Sequence, residues 1–149
     1  MIVGFNFKKI NVERKKKLVK GMKVKYNMDI SKVYKQEFTL PAPDQTVLGL
    51  DFDFTVGYGE GIADILISGT VNYMASDVDV KEALEHWEKS KQLPKAISVP
   101  VINVILDKSN IKALELEQDL SLPTHLPMPS VSIGKGGKGK EKEAEKYIG

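Results

Sequence analysis

The chain contains no cysteine. Disulfide staples and thiolate metal sites are therefore excluded. Histidine is almost as scarce: only His86 and His125 occur, too few for an imidazole-rich metal centre. Among 22 basic residues, Arg14 is the single arginine. The planar guanidinium is the side chain best suited to bidentate recognition of phosphate and guanine. Its scarcity counts against sequence-specific nucleic-acid binding. No apolar run approaches the roughly 20 residues of a membrane-spanning helix. The opening Met1-Ile2-Val3-Gly4-Phe5 has no basic stretch of the kind that precedes a secretory apolar core. No membrane insertion is expected, and the cytoplasm is the expected compartment. Net charge is only +2, so no strong field advertises a polyanionic partner.

The 149 residues, 42% of them hydrophobic, suit one domain with its own core. Four stretches alternate apolar and polar residues, the pattern of strands buried on one side. They run over about 2–10, 22–34, 47–58 and 62–74. The first places Val3, Phe5 and Phe7 on one side; the third places Leu48, Leu50, Phe52, Phe54, Val56 and Tyr58 there. One-sided burial favours an antiparallel sheet. Gly57-Tyr58-Gly59-Glu60-Gly61 reads as a hairpin between the third and fourth strands. Pro41-Ala42-Pro43-Asp44 marks a longer crossing before the third, and Glu13 to Gly21 joins the first two.

The period then changes. Asp79-Val80-Lys81-Glu82 reads as a capping box, and a helix is predicted over about 79–92, ending before Pro94. A second helix is predicted over about 98–119, capped by Ser98 with Pro100 in its first turn; Ser109-Asn110 is a place for a break or kink. That helix is apolar around much of its circumference, which suggests burial against the sheet and another subunit. Pro123, Pro127 and Pro129 make residues 121–133 extended. The resulting expectation is an α+β fold over residues 1–133: a four-stranded antiparallel sheet covered on one face by two C-terminal helices. Residues 134–149, rich in Lys, Gly and Glu, read as a flexible tail.

Candidate chemistry is sparse. Gly134 to Lys140 fits the spacing of a phosphate-binding loop, but Glu141 stands where Ser or Thr would hold magnesium. Gly134-Lys135-Gly136-Gly137 resembles the GXXG loop of a KH domain, without the helices and strand around it. Arg14 to Lys17 with Lys20, Lys23 and Lys25 form the best basic patch, read as a solvated face; only Tyr26 is near for base stacking. Asp51, Asp53 and Asp64 could hold a divalent cation or simply form the solvent side of the sheet. His125 sits in the proline segment with no acid or nucleophile near it in sequence. No nucleophile, base and acid are arranged on one ordered element, so no catalytic residue, metal site or cofactor is expected.

The order of elements, with Pro100 early in the second helix, then Leu122-Pro123, Leu126-Pro127 and an apolar run to Ile133, resembles the SecB family of export and antitoxin chaperones. The resemblance covers about residues 2–133 and is one of topology. It implies a dimer or tetramer that holds non-native polypeptides in apolar grooves without ATP. The chain departs from that family in being mildly basic, with a lysine-glycine run opening the tail, so docking to SecA and a specific export role are not carried over. A general holdase is the expectation. Phe5, Phe7, Trp87, Leu93, Leu122, Leu126 and Met128 are the candidate polypeptide-binding residues, because aromatic, Met and Pro-flanked Leu side chains make adaptable apolar contacts. Each taken singly is equally an ordinary core or interface residue. Two other readings stand beside the holdase: a small basic nucleic-acid-associated protein, and a non-catalytic structural subunit of a larger complex.

Overall fold

The computed structural model describes residues 1–37, 43–131 and 133. Part of the Pro41–Asp44 crossing, the segment 134–149 and both glycine-lysine look-alikes lie outside the described residues. The fold is α+β: strands β1 (Ile2–Arg14), β2 (Val24–Gln36), β3 (Gln45–Tyr58) and β4 (Ala63–Ser76), then helices α1 (Asp77–Ser90) and α2 (Lys95–Asp119). The strands form one antiparallel sheet in the order β1-β4-β3-β2. The first two strands in sequence are thus the two outer edges, and residues 15–23 cross from one side of the sheet to the other.

Alternation along β3 decides which face is covered. Leu48, Leu50, Phe52, Phe54, Val56 and Tyr58 are all buried, opposite Ile65, Ile67 and Val71 of β4. Both helices pack on this face: α1 and the first half of α2 over Leu48, Leu50 and Phe52, and the end of α2 with Leu122 over Phe54, Val56 and Tyr58. The other face carries Asp51, Asp53, Ser68 and Thr70.

The strands are longer than the alternation suggested, because two bulges in β1 and one in β2 interrupt it. A bulge adds one residue and reverses which side chains face the core. Near the start of β1 it turns Val3 outward, 46% exposed, and brings Ile2 onto the core side beside Phe5 and Phe7. The Val3-Phe5-Phe7 face expected from strict alternation is therefore corrected to Ile2-Phe5-Phe7. In β2 the extra residue is Ser31, after which Val33 rather than an even-numbered residue packs inward.

Both helices begin earlier than expected. The N-cap of α1 is Ser76, not Asp79: its hydroxyl accepts from the Asp79 N–H at 3.2 Å. Asp77 and Asp79 then lie in the first turn, where the helix dipole favours negative charge. Ser98 does not cap α2; the Pro94 carbonyl accepts from the Ile97 and Ser98 N–H groups, and the helix starts at Lys95. Pro100 accordingly lies inside the helix, where proline leaves the carbonyl four residues back without its usual donor. That carbonyl belongs to Ala96, and the Tyr73 hydroxyl donates to it at 3.4 Å. No break occurs at Ser109-Asn110. The buried residues of α2 recur every fourth position, from Ile97 through Val101, Ile105, Ser109 and Ala113 to Glu117, so Ser109 faces the sheet within an unbroken helix.

Candidate functional site

Because β2 is an edge, its core-side residues are covered on only one flank. Met28 and Ile30 of β2, Trp87 of α1, Leu93 of the helix connection and Ile102 of α2 line an open groove of about 650 Å³. Trp87 and Leu93 are half-buried. The Lys91 ammonium lies 5.4 Å from the Trp87 ring centre. Lys91 adopts the left-handed conformation that terminates α1, with its N–H bonded to the Trp87 carbonyl. The groove wall is thus set by the end of one helix, and its floor by the free edge of the sheet.

A second cleft, of about 380 Å³, lies across α2 at the other edge. Phe5, Asn6 and Phe7 of β1 face Lys108, Ile111 and Lys112 of α2. Phe5 meets Phe7 edge-on, with ring centres 5.1 Å apart, and stacks on Phe52 at 5.5 Å. The Lys108 ammonium lies 5.4 Å from the Phe5 ring centre. Gly69 of β4 makes room for this cluster, since it pairs with Phe7 on one side and Phe52 on the other.

The seven candidate residues therefore divide among three places. Trp87 and Leu93 share the β2 groove. Phe5 and Phe7 share the β1 cleft. Leu122 is buried with Phe54, Val56 and Tyr58. Leu126 is half-buried beyond it, and Met128 is 54% exposed. Met28, Ile30 and Ile102 were not among the candidates. Their apolar character was plain in the sequence, but the edge position that leaves them uncovered depends on strand order.

His125 does have an acid beside it, contrary to the reading from sequence position. Its Nδ1 lies 2.7 Å from Glu117 Oε1, and its Nε2 lies 2.8 Å from Asn110 Oδ1. The Tyr58 hydroxyl donates to the other Glu117 oxygen. Glu117 and the His125 side chain are fully buried. Burial, reinforced by the Glu117 carboxylate, pushes the Tyr58 phenol far above its ordinary value. Helical spacing puts Asn110 and Glu117 on α2, and the chain reversal after Leu120 brings His125 back to them. No local sequence signal marks that return.

The uncovered sheet face is polar and internally bonded. Asp51 accepts from Thr70 Oγ1 at 2.6 Å, Tyr34 at 2.9 Å and Lys8 at 3.3 Å. Burial alone would raise its carboxyl, but those three donors hold it below the usual carboxylate range. Asp53 accepts from Ser68, while Asp64 pairs with Lys15 at 2.9 Å. Among the described residues, no group of three or more His, Cys, Asp or Glu side chains could hold a metal ion. Arg14 donates to the Leu120 carbonyl at the end of α2, which draws it out of the basic patch. No helix of the described residues is long and apolar enough to cross a membrane.

No protein-family model matches the chain, and no curated protein is similar to it in sequence. Among solved structures, the chain is similar to the SecB-like chaperone of Mycobacterium tuberculosis in complex with a ChAD peptide from the HigA1 antitoxin, at 11% identity and a TM-score of 0.49, with 90% of this chain and 91% of that one covered.

Proposed function

We propose that this protein is an ATP-independent holdase that binds extended apolar segments of non-native polypeptides along the β2 groove. One observation carries the reading: an apolar groove runs beside an unpaired strand edge, with Met28, Trp87 and Leu93 on its walls. An extended chain presents both backbone hydrogen-bonding groups and alternating side chains. A free edge offers partners for the first, and an adjacent apolar groove accepts the second. Methionine and an aromatic ring tolerate many side-chain shapes, as a promiscuous site requires. Phe5 and Phe7 in the β1 cleft, with Leu126 and Met128 beyond α2, are additional contacts for a long client.

The working form is proposed to be a cytoplasmic homo-oligomer, a dimer or tetramer. Long free strand edges invite pairing with a second copy. The outer ridge of α2 contributes exposed Val99 and Ile111 between polar residues. Sedimentation at micromolar concentration tests this, and a monomer would reject it.

The experiment for the holdase mixes the protein with an aggregation-prone substrate, without nucleotide, and follows light scattering. Suppression near stoichiometric amounts, kept at high salt and weakened by Trp87→Ala in a folded protein, is the expected result. Suppression abolished by moderate salt would point to the basic surface and a polyanionic partner instead. No suppression at several-fold excess would leave a structural subunit as the better reading.

A further inference from the structure

We propose that the segment from Leu122 to Met128 is a displaceable strap over a continuation of the client groove, keyed shut by the His125–Glu117 contact. This inference rests on the holdase reading for its ligand, though not for the strap itself.

The groove ends at Met28 of β2. Met28 pairs with Phe54, and the next core-side residue of β2 is Tyr26, which stacks on Phe54 with ring centres 6.1 Å apart. The bed formed by Tyr26 and Phe54 thus prolongs the groove floor along the same edge strand. The imidazole of His125 covers it, meeting Tyr26 edge-on at 5.3 Å and Phe54 at 5.8 Å.

The strap is attached in an unusual way. Its last backbone bond to the rest of the molecule is Leu122 N–H to the Glu117 carbonyl at 2.8 Å. Among the described residues, no backbone hydrogen bond joins 123–131 to the sheet or to α2. Pro123, Pro127 and Pro129 have no N–H to donate, so the segment cannot add to the sheet as a regular strand. Thr124 bonds within the segment, to the Leu126 carbonyl. Beyond Leu122, His125 is the one fully seated side chain: Leu126 is half-buried, Met128 54% exposed and Val131 72% exposed.

The strap is therefore held over an apolar bed by a polar key, Asn110–His125–Glu117–Tyr58. A buried ion pair fixes geometry well, but it holds no more tightly than an apolar residue of similar size, because desolvation offsets the attraction. An apolar or aromatic client side chain would compete for Tyr26 and Phe54 on favourable terms. Lifting the strap extends the apolar floor from Met28 to Tyr26 and lengthens the segment of client that can be held.

The chain lacks cysteine, so Met128→Cys allows a spin label at one site. Label mobility and the affinity for a reduced, alkylated polypeptide are measured in otherwise wild-type protein, in Asn110→Ala and in His125→Gln. Asn110→Ala removes one partner of the imidazole while leaving Glu117 its own, which guards against misfolding. Expected are higher label mobility in both variants with the cooperative thermal transition retained, and tighter client binding. If the strap is open about a tenth of the time in the wild type, full release strengthens apparent affinity up to about tenfold. Unchanged label mobility in both variants would overturn the strap. Raised mobility with unchanged or weaker client binding would overturn the covered extension. Absence of client binding in all three proteins would reject the holdase reading and the extension together, with the mobility result still deciding whether the strap opens.

Discussion

Replacing Gly69 by alanine should destabilise the sheet, although alanine is ordinarily the better strand residue of the two. An added Cβ would lie 2.4 Å from the Asn6 carbonyl oxygen and 2.8 and 2.9 Å from two carbons of the Phe52 ring. Exchanging glycine for alanine inside an element gains roughly 0.5–1 kcal/mol through chain entropy. Forcing extra volume into a packed site costs about 1–3 kcal/mol. The nearest obstacle here is backbone of the neighbouring strand, which cannot swing aside, so the steric cost wins. A net loss of about 1–2 kcal/mol follows, which corresponds to roughly 2–8 °C in Tm for a domain of this size. Thermal unfolding followed by circular dichroism measures it. Phe52→Leu in the Gly69→Ala background should recover part of the interaction term, since it relieves the ring contacts but not the one with Asn6. Because Phe52 supports Phe5, the same substitution should also alter the β1 cleft. A Tm equal to or above wild type would refute the reasoning.

Other expectations follow from single buried or bonded groups. Ser109 is fully buried, and its hydroxyl has no hydrogen-bond partner; Ser109→Ala should raise stability by about 1 kcal/mol in denaturant titration. Tyr58→Phe removes a donor from the buried Glu117 carboxylate and should cost about 1.5–3 kcal/mol, read in the same assay. The Asp51 carboxyl is depressed in the folded chain, so its stabilisation is full above the unfolded pKa near 3.8 and disappears as pH falls through the lower folded value. Asp51→Asn should lower stability at neutral pH and flatten the acid limb of a stability–pH curve below about pH 4. An unchanged acid limb would show that the Thr70, Tyr34 and Lys8 bonds contribute nothing.

The sheet and helices were legible because burial on one face imposes period two and packing on that sheet imposes period 3.6. What alternation cannot convey is insertion and order. The bulges in β1 and β2 each reverse the inward set, so Val3 read as a core residue and Ile2 did not. Strand order placed β2 at an edge and turned Met28 and Ile30 from sheet interior into groove floor. Helix starts were misjudged for a different reason. Ser76 and Pro94 act through one hydroxyl and one carbonyl, while Asp79 and Ser98 offered side chains of the expected kind a few residues later. The His125–Glu117 contact needed the chain to turn back on α2, which no local spacing encodes. Trp87 and Leu93 were legible as a pair because they flank the end of one helix.

Trp87 is the chain's single tryptophan and lines the groove proposed to hold clients, so its fluorescence tests the central claim most directly. The protein is titrated with a reduced, alkylated polypeptide that lacks tryptophan, in the absence of nucleotide and at high salt. A client lying in the groove would shield the indole and displace Lys91, giving a saturable blue shift of emission. Met28→Asp should weaken the binding without altering the unliganded spectrum. Emission unchanged through several-fold molar excess, while the protein stays folded, would contradict polypeptide binding at this groove.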